Sequence, residues 1–440
     1  MIVMKFGGTS VESAEAIRRV AGIVQARLDR QPVVVVSAMG KTTNKLLAIA
    51  GAAASGQLEQ SLASLAELRA FHVRESAGLN IDAAVGAHFD ELEALVRGLA
   101  VMGELTPRAT DAVSAMGERL SSIIVAAQLR CCGIDTAHVD SRKVIVTDGR
   151  HTQAAPIFAA TNAKLQELVA PLSTRQVVVM GGFIASTEDG VTSTLGRGGS
   201  DYSAAIIGAG IGAEEIQIWT DVDGMLTADP TILPGGHRVD VCSFAEAAEL
   251  SYFGAKVLHP ATVLPAIEKN IPVRILNSRR PESPGTLIVK TPPPSENPIR
   301  SIACKRNITL VNIVSTRMLG AHGFLRRIFE VFDRFETPVD MLATSEVSVS
   351  LTIDSTRALD AIRAELSEFA EVSVQSDQAI VCLVGENIRS RPDVAARAFK
   401  ALAGIRPHMV SLGASELNLG LVVDASRLTQ AVESLHREFF

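Results

Sequence analysis

Two loops in this chain concentrate residues that can handle an anionic group. The first is Lys5-Phe6-Gly7-Gly8-Thr9-Ser10. Its lysine supplies a full positive charge, and its two glycines let backbone N–H groups approach closely. A helix starting at its end would add partial positive charge. Together these make a cradle for a phosphate, although a Gly-Gly pair after a strand also serves as an ordinary turn. The second loop runs from Thr192 to Ser203. It combines Gly196, Gly198 and Gly199 with Arg197, Asp201 and several hydroxyls, ahead of an apolar helix. That mix offers backbone donors, an anion clamp and a charged anchor together. Thr220-Asp221-Val222-Asp223-Gly224 adds carboxylates that can meet a ribose or a metal, or simply close an Asp/Gly turn. Neither familiar nucleotide fingerprint is present. Gly40-Lys41-Thr42 resembles the end of a P-loop, but Val35 stands where its first glycine belongs. Gly208, Gly210 and Gly212 lack the dinucleotide spacing.

The elements that must hold these loops read as alternating strands and helices. Met1–Met4 is a buried strand, and Val11–Leu28 a helix with Ile17, Val20, Ile23 and Val24 on one face, capped by Thr9 or Ser10. Val33–Val36 is a second buried strand, ending in the polar loop Ser37–Asn44 before another helix. This βαβα opening implies a parallel sheet with functional loops at the carboxyl ends of its strands. Residues 46–130 have helical period and include Ser114-Ala115-Met116-Gly117-Glu118-Arg119-Leu120. Glu118 reads either as a solvated helix residue or as part of a site. Strand signals return at Thr136–Val139, Val177–Met180 and Ile216–Trp219, and a helix at Ala204–Ala209. Trp219 reads as packed core and His259, before Pro260, as a structural turn residue.

Bulk composition excludes several classes. A net charge of −6 with no basic block argues against nucleic-acid binding. No apolar run reaches the ~20 residues that span a bilayer, and the N-terminus lacks a signal-peptide layout, so a cytoplasmic protein is expected. The 5 cysteines form no Cys-x-x-Cys pair and no histidine sits at zinc spacing, which favours reduced thiols and no structural metal.

Residues 292–300, rich in proline, read as a linker. Beyond them the chain repeats itself without a gap. Ser345-Glu346 matches Ser415-Glu416, Asp354 matches Asp424, Phe329 matches Phe399 and Leu342 matches Leu412, each offset by 415 − 345 = 70. A period of that length is a duplicated small domain. In the first copy, strands are expected at Thr309–Val314, Val339–Leu342 and Val347–Ile353, and helices at Phe324–Phe335 and Thr356–Phe369. Ser301–Arg306 reads as a further strand.

Five motifs taken in order, Lys5–Ser10, Thr43-Asn44, Arg197–Asp201, Thr220–Pro230 and Phe253–Pro260, together with the duplicated tail, resemble the aspartokinase family of the amino-acid kinase superfamily over essentially the whole chain. The resemblance implies an α/β amino-acid kinase fold over residues 1–291, a mostly parallel sheet sandwiched by helices. Two ferredoxin-like ACT domains would follow, one at 307–376 and a discontinuous one at 301–306 plus 377–440. It implies a monofunctional enzyme that phosphorylates the side-chain carboxylate of L-aspartate from ATP with Mg2+. Lys5 and Asp201 would be catalytic. Lys5, Gly7, Gly8, Thr220, Asp221, Lys256 and Val257 would bind the nucleotide. Thr43, Glu118, Arg197, Gly198, Gly199 and Ser200 would bind aspartate. Many relatives carry tyrosine and arginine where Leu226 and Thr231 stand, so no nucleotide contact is implied at those two positions. A feedback site for L-lysine, with L-threonine second, would use Met318, Gly323, Phe324, Leu325, Val339, Asp340, Thr344 and Ser345. Assembly into a homodimer or homotetramer through the ACT domains is expected. Rivals are a glutamate or uridylate kinase of the same superfamily, which the duplicated tail disfavours, and a catalytically dead sensor, which intact Lys5, Arg197, Asp201 and Lys256 disfavour.

Overall fold

The computed structural model describes residues 1–253, 260–295, 297–319 and 322–440. The chain divides into two compact units, Met1–Met225 with Leu258–Pro292, and Leu226–Val257 with Pro293–Phe440.

The first unit is built on a mostly parallel sheet. Its strands lie in the order Thr136–Val139, Val177–Gly181, Pro32–Val36, Ile2–Phe6, Glu215–Thr220, Val273–Asn277 and Thr286–Val289. Only the last of these runs antiparallel to its neighbour. Ile2–Phe6 sits in the middle, with Met4 facing Val34 on one side and Gln217 on the other. Every residue of Ile2–Phe6 and Pro32–Val36 is buried. Helices cover both faces of such a sheet, which is why these strands are continuous apolar runs instead of alternating ones. Trp219 is fully buried and stacks on Phe6 at 5.9 Å, as core. The helix Ala14–Gln25 buries Ile17, Val20, Ile23 and Val24.

The first loop corrects one expectation. Gly8–Val11 forms a 3-10 turn, and the following helix is capped by Ser13, whose side chain accepts from Ala16 N, not by Thr9 or Ser10. The turn carries Ser10 inward, where its hydroxyl meets that of Ser278 at 2.8 Å. Five helices fill residues 42–131, from Thr42–Ala54 to Met116–Cys131, and the last carries Glu118. A small sheet of Val146–Thr147, Ile184–Thr187 and Thr192–Thr194 was not foreseen. Strands of two to four residues carry too little pattern to announce themselves.

The second unit holds an antiparallel sheet in the order Leu342–Thr344, Ser348–Ile353, Ile299–Val314, Glu371–Gly385, Asn418–Asp424 and Met409–Leu412. Two long strands are shared by both copies of the repeat. Ile299–Val314 starts inside the segment read as linker and merges the two strands expected at 301–306 and 309–314. It breaks register between Lys305 and Ile308, where Asn307 takes a left-handed φ of 58°. Before the break Ile302 faces Leu383; after it Val311 faces Leu351. Two separate cores result, one around Ile313, Ile328, Leu351 and Ile362, the other around Ile302, Ala398, Leu421 and Val432. Ile328 and Ala398, Leu351 and Leu421, and Ile362 and Val432 are buried partners at the 70-residue offset. The strand expected at Val339–Leu342 lies at Leu342–Thr344, because Met341 N donates to the Thr352 side chain and regular pairing begins one residue later. Leu226–Val257 packs with this unit: Ala228 and Ile232 enter the second core, and the helix Phe244–Tyr252 starts on a capping box of Ser243 and Glu246. Thr231 caps the Asp229 carboxylate locally, at 2.7 Å. Cys131, Cys132, Cys304 and Cys382 are free thiols, and no described helix is long and apolar enough to cross a membrane.

Candidate functional site

The carboxyl ends of the central strands converge on a cavity of about 280 Å³. Lys5, the fourth residue of Ile2–Phe6, points into it and is only 8% exposed. Its ammonium lies 2.6 Å from Asp201 Oδ1, a close ionic contact that is not aligned as a hydrogen bond. Asp201 belongs to the first turn of the helix Gly199–Ile211, which also presents Gly199 and Ser200 to the cavity. The positive end of that helix therefore adds to the lysine charge.

Glu118 lines the same cavity and is 4% exposed. One carboxyl oxygen accepts from Ala38 N at 3.0 Å; the other, Oε2, is buried without a partner among the described residues. Burial pushes its carboxyl up to about 8, against the pull of the Ala38 N–H and the Lys5 charge. A buried acid with one unused oxygen in a cavity is a receptor for a cation.

The remaining expected residues fall into place unequally. Thr43, Gly8 and Gly198 line the same cavity as Lys5, Asp201, Glu118, Gly199 and Ser200. At Gly8 a Cβ would come within 2.9 Å of the Gly40 carbonyl and 3.0 Å of the Ala38 carbonyl, so this glycine is demanded by loop packing as much as by any ligand. The Gly7 N–H donates to the Trp219 carbonyl at 3.0 Å. Arg197 is exposed and is not among the cavity-lining residues, though Gly196 and Gly198 on either side of it are. Thr220 and Asp221 lie at the end of the neighbouring strand, where the Thr220 hydroxyl donates to Asp221 at 3.2 Å, and they do not line the cavity. Lys256 and Val257, like His259, lie outside the described residues.

Ser37, Ala38, Gly40 and Phe183 also line the cavity and were not singled out. The first three follow the second buried strand, and position at a parallel strand's carboxyl end was a signal available for them. Phe183 takes a left-handed φ of 64°, with its N–H donating to Ser203 Oγ at 2.9 Å. Nothing in its type announces that.

A second concavity, of about 590 Å³, lies in the second unit. Met318, Gly323, Phe324, Leu325, Thr344 and Ser345 line it; Val339 and Asp340 do not. Asp340 instead contacts Lys305 at 2.6 Å and accepts from Tyr252 at 3.3 Å, both on Oδ1, while its Oδ2 is buried and has no partner among the described residues. Lys305 also contacts Asp354 at 2.9 Å.

Fold and site together define a small-molecule phosphotransferase, and the model of the amino acid kinase family matches residues 1–277. The ACT domain model matches twice, at 311–369 and 381–439. Aspartokinase 1 of Arabidopsis thaliana, a chloroplast protein, is 40% identical over 100% of this chain and 80% of its own length. The lysine-sensitive aspartokinase 3 of Escherichia coli is 35% identical over 100% of this chain and 99% of its own. Solved structures of Escherichia coli aspartokinase III, also 35% identical and covering 100% of this chain, superpose with TM-scores of 0.86 for the complex with lysine and aspartate and 0.83 for that with aspartate and ADP. This chain belongs to the aspartokinase family.

Proposed function

We propose that the chain transfers the γ-phosphoryl group of ATP to the side-chain carboxylate of L-aspartate, with Lys5 as the cation between the two anions. A side-chain carboxyl with a pKa near 3.9 is already ionised at neutral pH, so the nucleophile needs no general base. A carboxylate oxygen forms the new O–P bond while the bond from the γ-phosphorus to the β–γ bridging oxygen breaks. The electron pair leaves with ADP, and no proton moves. The barrier is the approach of one anion to another, and it yields to fixed cations and oriented N–H donors. The single observation that carries this reading is the convergence of Lys5, the Gly199–Ile211 helix start and Glu118 on one cavity.

Lys5 would bridge nucleophile and γ-phosphate, and Asp201 would hold it in place. Glu118 would pair with the substrate's α-ammonium through its unused oxygen, Thr43 would hydrogen-bond nearby, and Gly198, Gly199 and Ser200 would offer backbone donors. Gly7, Gly8, Thr220, Asp221, Lys256 and Val257 are assigned to the nucleotide. Among the described residues no three acids, histidines or cysteines are grouped to hold a metal by themselves. The Mg2+ accompanying ATP would be held mainly by phosphate oxygens and water. Incubation with ATP, aspartate and hydroxylamine should yield aspartyl hydroxamate, because hydroxylamine intercepts an acyl phosphate. No ATP-dependent hydroxamate would refute the reading.

Arg197 would swing onto the substrate's α-carboxylate as a bidentate clamp. Arg197→Ala should then raise the aspartate KM by about 10²-fold, the scale of a lost charge-assisted pair, and leave the ATP KM nearly unchanged. Steady-state kinetics with each substrate varied in turn would show it. A rise in the ATP KM alone would reassign the loop to the nucleotide.

The second concavity would take a feedback amino acid, L-lysine first and L-threonine second. Asp340, which lies outside that lining in its ion pair with Lys305, would turn its carboxylate to the ligand's ammonium, and the start of the helix Phe324–Arg334 would take its carboxylate. Pairing of ACT domains between subunits, in a dimer or tetramer, would complete the site. Asp340→Asn should raise the lysine concentration for half inhibition at least about tenfold, the worth of a lost charged hydrogen bond. Unaltered inhibition would remove Asp340 from the sensor.

A further inference from the structure

We propose that Asp111, outside the cavity, is the positioning residue that ties its two substrate-reading walls together. Asp111 is fully buried in the helix Pro107–Ser114. Through Ala115 this helix leads directly into Met116–Cys131, which carries Glu118. The Asp111 carboxylate accepts four hydrogen bonds from three groups elsewhere in the chain. Thr194 donates its hydroxyl to Oδ1 at 2.5 Å, His151 its Nδ1–H to Oδ2 at 2.7 Å, and Thr152 its backbone N–H to both oxygens at 3.0 Å. A buried carboxylate this well supplied with donors is a hub, since leaving any donor unpaired there is costly.

What the hub holds is the base of the Arg197 loop. Thr194 ends the strand Thr192–Thr194, two residues before Gly196. Its carbonyl accepts from Ala154 N at 3.0 Å, which fastens the 149–154 loop alongside. Gly196, with a φ of 74°, lies so close that a Cβ there would come within 3.1 Å of the Thr152 carbonyl. Thr152 itself takes a φ of 70°. A β-branched residue rarely adopts that conformation and keeps it only when its surroundings impose it. The two bonds from its N–H to Asp111 are what impose it here. One carboxylate thus fixes the loop bearing Arg197, Gly198 and Gly199 relative to the helix bearing Glu118. Those are the two elements assigned to opposite ends of the aspartate backbone.

This inference rests on the aspartate kinase reading, and the two can fail separately. If the wild type shows no ATP-dependent phosphorylation of aspartate, the parent reading falls. If it does, steady-state kinetics of Asp111→Asn and Thr194→Val decide the inference. Misplacing a substrate-reading loop by a fraction of an ångström should raise the aspartate KM about tenfold or more while the ATP KM stays within about twofold. Thr152→Gly keeps the N–H and suits the backbone angle, so its aspartate KM should stay within about twofold of wild type. A merely structural role would lower thermal stability and move both KM values together, or neither. Should Asp111→Asn fail to fold, Thr194→Val, which removes one donor at nearly constant volume, carries the test. A folded variant of either kind whose aspartate KM is unchanged, or whose ATP KM rises by the same factor, overturns the inference.

Discussion

Replacing Lys5 by alanine should lower turnover by roughly 10³-fold with both substrates saturating, about 4 kcal/mol of lost transition-state stabilisation. The size follows from where the charge sits. Lys5 is the next-to-last residue of a fully buried strand and is 8% exposed, so its ammonium acts through protein and little water. Its ionic partner Asp201, at 2.6 Å, fixes its position without consuming an aligned hydrogen bond. The loss should fall on kcat more than on either KM, because repulsion between carboxylate and phosphoryl group peaks as they meet. Lys5→Arg should recover only part of the rate, since a planar guanidinium cannot occupy the position of a compact ammonium. Unchanged turnover in Lys5→Ala would remove this residue from the chemistry.

The second large effect concerns Glu118. Burial holds its carboxyl near 8, so in the free enzyme it is mostly protonated at pH 7. A substrate ammonium at Oε2 favours the ionised form, and binding should release close to one proton at pH 7. Aspartate affinity should therefore rise as pH increases towards 8 and level off above it. The direction follows from the raised value: the form that binds the cation is the minority form below 8. Calorimetry in buffers of different ionisation enthalpy measures the released proton directly. Glu118→Gln should abolish the release and raise the aspartate KM by about 10²-fold, because a neutral amide replaces a buried charge partner. Proton uptake on binding, or a KM that is flat between pH 6 and pH 8, would contradict the pairing.

Much of this site could be read from the chain because strand and loop signals are local. The apolar runs at 1–4 and 33–36 announced a parallel sheet, and a parallel sheet puts its loops at one end. Lys5 was reachable from that, the Gly198–Asp201 stretch from its own mix of glycines and charges, and Thr43 through the family resemblance. The 70-residue repeat was equally open, because each copy must bury the same face: Leu351 and Leu421 occupy equivalent places in the two cores. What escaped depends on distance in space. Whether Glu118 is solvated or buried is decided by what packs over its helix, and its sequence window is silent on this. The helix cap moved from Ser10 to Ser13 because Ser278, far along the chain, draws Ser10 inward. Asp111 looks like any helix acid until Thr152 and Thr194 are brought to it. The departure of 226–257 to the second unit rests on burial of Ala228 and Ile232, two ordinary apolar residues in a loop-rich stretch.

The most direct test is a crystal structure of the enzyme with aspartate and a non-hydrolysable ATP analogue bound together. The Lys5 Nζ should lie within hydrogen-bond distance, roughly 3 Å, of both a side-chain oxygen of aspartate and an oxygen of the γ-phosphate. An ammonium still held only by Asp201, with water or another cation filling the gap between the reactants, would contradict the central claim.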